Sequence, residues 1–561
     1  IIKSGVAKVT AVPYENVAFE TGSSEKYNTL KKNDIRFKKE SPAESQKLPY
    51  AWVRHQWPPK AEPPRGAKWI IMPPWEFTSH RQDFLEIFKQ AEEIWTPSAY
   101  SRQSFIDSGI DFNKVQVIPN GIDPHLFKPT GIAYPLKTNK KFRILFVGGT
   151  IYRKGIDILL NVYKKTFTAN DNICLVIKDM GGESFYKGQN AKDYILKLKE
   201  DPGNPEIEYI DGYLDEPQMA SLYRSCSVFA CPYRGEGFSL PALEAMACGL
   251  PVIVTQGGAT DDFVTEECGW KIPAGRKSIG SAIDDKPLAG EAFLLDPDES
   301  TLAGLLRSIY ADPSDIFIKG MKASYLARTL WTWERATLKA LARLDSLYGT
   351  NMAKQASTNF IPIEDAAILL GSADNAFENG DYAAAIRLYN DSAVLGGMQQ
   401  VQMVYVFNKS ALCYYLDNNI KNADAFIAKA NELIPGNPDS LYLQALLSAE
   451  KGDWESTLET ISLLMDNWVK IKYDSLLGYG LDSLLVLTAR CLNELGDSEN
   501  SLKLYADALK INPNNFEACY GAALRLLEAG ADDRAREMLE WALKLKPDFE
   551  DAKKTLQNLN K

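Results

Sequence analysis

The chain has 561 residues, of which 45% are hydrophobic and 24% charged, and its formal net charge is −10. That length exceeds what one core can bury and implies roughly two to four domains. The acid excess excludes a nucleic-acid binder that relies on bulk electrostatics, and no apolar run reaches the roughly 18–20 residues of a membrane helix.

The chain opens on IIKSGVAKVTAVPY, with no methionine start and no signal-peptide pattern. It reads as the tail of a helix running into a strand, GVAKVTAV, inside a domain whose upstream residues are missing. Residues 1–130 are rich in Trp and Pro. Short apolar strands are predicted at Trp52–Val53, KWIIMPP (68–74), EEIWTPS (92–98) and KVQVIPN (114–120), with a helix over 81–91. Strands alternating with helices point to a parallel, doubly wound sheet.

The alternation sharpens over 131–330. FRILFVGG (142–149) is a buried strand ending in glycines. KGIDILLNVYKKTF (154–167) is an amphipathic helix with Ile156, Leu159, Leu160 and Tyr163 on one face. ICLVIKD (173–179), IEYID (207–211), SVFACP (227–232) and PVIVT (251–255) complete a second Rossmann-like domain. WTWERATLKALARLDSLYG (331–349) follows as a long helix, so 331–350 form a separate closing segment.

Over 364–561 the strand signal vanishes. Helix pairs break at NGDY (379–382), KGDW (451–454), LGDS (495–498) and AGAD (529–532), with DNN (417–419) filling one further turn. Gly496 and Gly530 stand 34 apart, as do Pro513 and Pro547, which matches the tetratricopeptide period. Gly452 and Gly496 stand 44 apart, so one of about five repeats is lengthened. An irregular helical bundle is the alternative.

Eight scattered cysteines form no Cys-x-x-Cys pair, and the three histidines (55, 80, 125) supply no zinc-ligand spacing. The cysteines read as reduced, buried thiols of a cytoplasmic protein.

The stretch RGEGFSLPALEAMACGLPV (234–252) carries the chemistry. Ser239 can cap a short helix, Pro241 fits its first turn, and Gly249 with Pro251 ends it. The amides that begin this helix, at Gly237, Phe238, Ser239 and Leu240, suit an anion. Phe238 can wall a pocket, and Gly237 lets a ligand approach the backbone. Glu244 lies in a largely apolar helix, where an unpaired carboxylate is costly; a carboxylate there suits a ribose diol. Glu236, in the loop, can accept hydrogen bonds from a different hydroxyl-bearing group.

EGFSLPALEAMACGLPVI resembles the Glu-x7-Glu signature of retaining GT-B glycosyltransferases, the glycosyl transferases group 1 family. The resemblance covers about residues 5–349 and implies two Rossmann-like domains facing each other, the first (1–130) on the acceptor side and incomplete at its start, the second (131–330) binding a nucleotide-diphosphate sugar. It implies that Glu244 binds the ribose and Glu236 contacts the donor sugar. FVGGTIYRKGIDILL (146–160) is similar to the family's strand, glycine turn and helix, where basic residues meet the donor diphosphate; Arg153 and Lys154 match, while Gly149 and Thr150 stand where many members carry another arginine. VIPNGIDPHLFKP (117–129) resembles the link between domains, with Asn120 and Gly121 as turn residues. The helix near Trp331–Trp333 resembles the family's return to the first domain.

His55, in WVRHQWPP, follows a strand that ends toward the cleft. It is either the first-domain histidine some members place near the donor sugar or a structural histidine between Trp52 and Trp57. PPWE (73–76) either lines the acceptor cleft or forms a proline-rich turn. TDD (260–262) reads as a helix cap. With no Asp-x-Asp placed at a strand end, no metal and no other cofactor are expected.

The resemblance implies a glycosyltransferase that moves a sugar, with retention, to an unknown glycan, lipid-linked or protein acceptor, through a front-face reaction in which Arg153, Lys154 and the helix N-terminus stabilise the leaving diphosphate. The helical repeats are expected to bind a protein partner. The rival reading is a catalytically silent scaffold whose function lies in the repeats.

Overall fold

A computed structural model describes residues 1–7, 51–59, 67–180, 189–283, 285–358, 365–395, 400–471 and 479–559, with the single positions 9, 32, 398, 475 and 477. Most of the opening GVAKVTAV lies outside the described residues. Ile1–Tyr310 and Lys319–Glu364 form one compact unit; Ala311–Ile318 and Asp365–Lys561 form a second.

In the first lobe of the first unit, β1 (Ala51–Arg54), β2 (Lys68–Ile71), α1 (Gln82–Gln90), β3 (Glu93–Thr96), α2 (Ala99–Asp107) and β4 (Val115–Val117) follow one another. The strands pair in parallel in the order β1-β2-β3-β4. All four residues of β3 are buried, as expected for a parallel strand covered on both faces. Phe84 and Phe88, one turn apart, are the buried face of α1 and join Trp69, Ile71, Ile94 and Phe105 in one core.

The second lobe contains β5 (Phe142–Gly148), α3 (Ile156–Thr166), β6 (Ile173–Asp179), α4 (Lys192–Glu200), β7 (Glu206–Ile210), α5 (Glu216–Arg224), β8 (Val228–Cys231), α6 (Leu240–Ala247), β9 (Val252–Thr255) and β10 (Gly269–Ile272). Its six strands are parallel in the order β10-β9-β8-β5-β6-β7. The chain runs outward from β5 through β7, returns to β8 on the other side of β5, and continues to β10. The β5/β8 boundary is therefore the topological switch point, where ligands of doubly wound sheets bind.

Two strands beyond β10, β11 (Ala274–Ile283) and β12 (Lys286–Pro297), form a long antiparallel hairpin. The sequence reading names no strand after 255, and β10, β11 and β12 correct it. β11 is mostly exposed and has neither an apolar run nor a regular alternation, so it carries no periodic signal.

Four helices follow, α7 (Glu299–Ala311), α8 (Ser314–Leu330), α9 (Trp333–Tyr348) and α10 (Met352–Ser357), which belong to the first unit except for Ala311–Ile318. The closing helix α9 packs Ala340, Leu341 and Leu344 onto Ile70, Trp95 and Ile118 of the first lobe. Where the chain crosses, Ile122 N donates to Trp331 O at 2.9 Å and Trp333 N to Ile122 O at 3.2 Å. A Cβ at Gly121 would stand 2.3 Å from Thr332 C, so only glycine fits this crossing.

Among the described residues from 365 onward, the second unit holds five helical pairs and a final helix: α11 (Ala366–Glu378) and α12 (Tyr382–Leu395), α13 (Gln400–Leu416) and α14 (Ile420–Leu433), α15 (Pro438–Glu450) and α16 (Trp454–Ile471), α17 (Leu481–Glu494) and α18 (Ser498–Ile511), α19 (Phe516–Glu528) and α20 (Asp532–Leu545), then α21 (Glu550–Leu559). The second helix of a pair has 14 residues except α16, which has 18 and begins the lengthened repeat. Among the described residues no helix is long and apolar enough to cross a membrane. All eight cysteines are free.

Candidate functional site

The loops that follow β5 and β8 meet at the switch point. After β5 the chain makes a short 3₁₀ turn, Tyr152–Lys154, and enters α3 through Gly155. Gly155 has φ 71°, and a Cβ on it would lie 1.9 Å from Pro232 O. Glycine is thus required twice over, for its left-handed backbone and for the contact that lays the basic turn against the loop after β8.

This contact brings Lys154, Arg153 and Glu236 together. Glu236 is 5% exposed and pairs with Lys154 Nζ. Arg153 Nη1 donates to Gly235 O at 2.6 Å and stands 4.0 Å from Glu236 Oε2. Burial of the Lys154 ammonium opposes its charge, and against that the attraction and hydrogen bond of the Glu236 carboxylate help to raise its pKa above the ordinary lysine value. A buried ion pair needs fixed geometry to offset its desolvation. Arg234 supplies it: its guanidinium makes two 2.7 Å bonds to Asp157, donates to Tyr152 O at 2.7 Å, and lies 3.7 Å from the centre of the Tyr152 ring.

The first lobe completes the surround. Gly237 O accepts from Ser98 Oγ at 2.7 Å and Ser101 Oγ at 3.1 Å. A Cβ on Gly235 would meet Glu76 O at 2.8 Å, and one on Gly237 would meet Trp75 O at 3.0 Å. The glycines flanking Glu236 thus admit the main chain of the first lobe, whereas the sequence reading has Gly237 admit a ligand. PPWE therefore abuts this loop, and Glu76 Oε1 stands 3.5 Å from Arg153 Nη2. Asp262 of TDD caps α2 across the lobes, accepting from Ala99 N at 2.8 Å.

The other candidates stand around this cluster. Glu244, half-buried on α6, accepts from Tyr223 Oη at 2.8 Å; the Tyr223 phenol is held protonated by burial and by that carboxylate, which push its pKa well up. Ser239 occupies the N-cap of α6 at φ 71° and makes no side-chain cap bond, because the left-handed backbone is not the extended one from which a serine caps. Leu240 opens the helix and is partly exposed. Phe238 packs into an aromatic cluster, 5.2 Å from Phe263 and 6.2 Å from Trp331. Gly149 and Thr150 follow β5; both are buried, and Thr150 Oγ1 donates to Asp179 Oδ2 at 3.1 Å. His55 is exposed just beyond β1, and no described contact links it to the cluster. The fully buried histidine is His80, bonded through Nε2 to Ser104 Oγ at 3.0 Å and stacked on Trp75.

Sequence reasoning missed Arg234, Asp157, Tyr223 and Glu76 as partners of the cluster. The first residue of RGEGF is the one local signal among them. The others are ordinary in their segments and meet the site only through the fold.

Residues 132–285 match the family described as Glycosyl transferases group 1. An uncharacterized glycosyltransferase of Methanocaldococcus jannaschii is 28% identical over 218 residues, 36% of this chain and 53% of that protein. A D-inositol 3-phosphate glycosyltransferase of an Arthrobacter species is 31% identical over 153 residues, 26% of this chain and 35% of that protein. The chain thus spans about half or less of the length of these curated relatives. A sucrose-phosphate synthase structure from Thermosynechococcus elongatus aligns over 51% of this chain and 69% of its own at 19% identity, with a TM-score of 0.40. The loops that join Lys154, Arg153 and Glu236 all fall inside the stretch of the second lobe that is similar to this family.

Proposed function

We propose that the first unit transfers a sugar from a nucleotide-diphosphate sugar to an acceptor hydroxyl, with retention at the anomeric carbon. The observation that carries this reading is the Lys154, Arg153 and Glu236 cluster at the switch point of a parallel sheet, within the stretch similar to the glycosyl transferases group 1 family. Lys154 and Arg153 take the diphosphate and offset the charge that develops on it as the glycosidic bond breaks. The amides at Gly237–Leu240 add to that stabilisation. Glu236 accepts from hydroxyls of the donor sugar. Glu244, oriented by Tyr223, takes the ribose diol. His55 is proposed near the donor sugar on resemblance alone.

The reaction is proposed to be metal-independent, the acceptor to be a glycan, lipid-linked or protein hydroxyl, and the protein to be cytoplasmic. The five helical pairs are proposed as tetratricopeptide repeats that bind a protein partner. Names among the relatives, such as D-inositol 3-phosphate glycosyltransferase, support sugar transfer and select no donor.

The test is calorimetry and a hydrolysis screen with UDP- and GDP-sugars, each with and without EDTA. The parent should bind and slowly hydrolyse one donor, Glu244→Ala should weaken binding, and Lys154→Ala should slow turnover; NMR of the product anomer checks retention. A folded parent that gives no heat with any nucleotide overturns the transferase reading in favour of a scaffold. Loss of activity in EDTA overturns metal independence.

A further inference from the structure

The β11–β12 hairpin has no part in the reading above, yet it grips both a first-lobe segment beside the site and the loop after β8. Along β12, Phe293 N donates to Thr78 Oγ1 at 2.8 Å, Gly290 N to Ser79 Oγ at 3.0 Å, and Ala289 N to His80 O at 2.8 Å. Gln82 Nε2 returns a bond to Leu288 O at 2.9 Å. Leu288 and Ala292 bury against Trp75, with Trp57 and Phe77 beside them. Nearer the hairpin's base, Leu295 N donates to Arg234 O at 2.8 Å, and a Cβ on Gly235 would meet Leu294 Cδ2 at 3.1 Å. One strand of the second lobe therefore straps segment 75–82 of the first lobe to segment 234–236.

Glu76 lies within the strapped segment, between Trp75 and Thr78. Its carboxylate is 31% exposed and stands 3.5 Å from Arg153 Nη2, whose other nitrogen holds Gly235 O. The cluster thus has two cations, Arg153 and Lys154, and two carboxylates, Glu236 and Glu76. Glu236 is built into the second lobe, whereas Glu76 is brought from the first lobe by the strap.

We propose that Glu76 is a positioning residue of the donor site: held by the β11–β12 strap, it orients the Arg153 guanidinium and sets how tightly that cation holds a diphosphate. This rests on the reading that Arg153 and Lys154 face the donor diphosphate. An anion entering the cluster is attracted by both cations and repelled by both carboxylates. Removing the Glu76 charge without changing its shape leaves one repulsion fewer and an Arg153 that is less fixed. Ligand binding then tightens while turnover falls, since Arg153 is no longer aimed and the product is held longer. A purely structural role for Glu76 gives the opposite pattern, in which binding and thermal stability weaken together.

Calorimetry with inorganic pyrophosphate, UDP and GDP on the full chain tests this, with donor turnover and melting temperature measured alongside. Glu76→Gln should bind the diphosphate probes about three- to tenfold more tightly at low salt, with turnover reduced and melting little changed. Glu76→Asp, which keeps the charge, should return binding toward the parent. The pair Thr78→Val with Ser79→Ala keeps the Glu76 side chain but loosens the strap that places it, and should shift binding in the same direction as Glu76→Gln by a smaller factor. A Glu76→Gln variant that binds like the parent or more weakly overturns the role of Glu76. A strap variant that binds like the parent, beside a tight Glu76→Gln variant, overturns the strap as the element that places it. A folded parent that binds none of the three probes removes the donor-site reading, and this proposal with it.

Discussion

Between the helices of the second unit, Gly380, Gly452, Gly496 and Gly530 turn the chain at φ 71–90°, and the place a Cβ would take is open in each. In the first unit Gly155 has the same φ of 71°, but a Cβ there would stand 1.9 Å from Pro232 O. The backbone conformation is shared and the reason for glycine differs. In the repeats glycine answers a local need of the turn; at the site it also admits a neighbour that arrives from about 80 residues away in sequence. Local needs recur with the period and can be read from the chain. Non-local ones cannot.

The sharpest way to break this comparison is to put the same methyl group in both places. Gly155→Ala adds left-handed strain and a clash with main chain that cannot rotate aside, so it should cost about 4 kcal/mol and displace the basic turn. Urea denaturation of the first unit measures the loss. A cost no larger than that of alanine at Gly496 removes the distinction.

Next in size is Lys154→Ala. It leaves the Glu236 carboxylate, 7% exposed as a side chain, with Arg153 at 4.0 Å as its remaining ion-pair partner among the described residues. Breaking such a pair should cost about 3 kcal/mol. The double variant Lys154→Met with Glu236→Leu should regain most of that stability and none of the turnover. Full recovery of both would mean that the pair is structural and the site lies elsewhere.

The same contrast explains what the sequence made legible. β5 and β6 hold apolar runs, Ile144–Val147 and Ile173–Ile177, and the 34-residue punctuation marks the repeats; each is a local pattern. The two acids and two cations stand out because their segments join a strand, a glycine turn and a helix start. Their orienting partners do not stand out. Asp157 and Tyr223 look like ordinary helix residues, and Glu76 looks like part of a proline-rich turn, until the fold sets them against Arg234, Glu244 and Arg153. The hairpin escaped for the reverse reason: its contacts lie on a distant loop, so its exposed strand shows little periodicity.

A smaller effect concerns the loop the hairpin grips. Burial holds His80 neutral and pushes its pKa well below 6.5. The unfolded chain takes up a proton as pH falls through about 6.5, and the folded chain does not until its own lower pKa is reached. The stability of the first unit is therefore at its full value above that pH and declines below it, by at most about 1.4 kcal/mol per pH unit from this residue. His80→Gln should flatten the decline between pH 7 and pH 5 in urea midpoints. An unchanged slope would assign the acid sensitivity to other groups.

The smallest effects come from the repeat turns, and they finish the comparison. The second turn carries Asn418 at φ 58° where the other four pairs carry glycine. Asparagine tolerates the left-handed region better than other non-glycine residues, so Asn418→Gly should change stability by only a few tenths of a kcal/mol. Gly496→Ala, in the same kind of open turn, adds strain without a clash and should cost about 1 kcal/mol. If Gly496→Ala instead approaches the cost of Gly155→Ala, packing and not backbone conformation governs the repeat turns. Their regular spacing would then record contacts between neighbouring helices and not the demand of each turn alone.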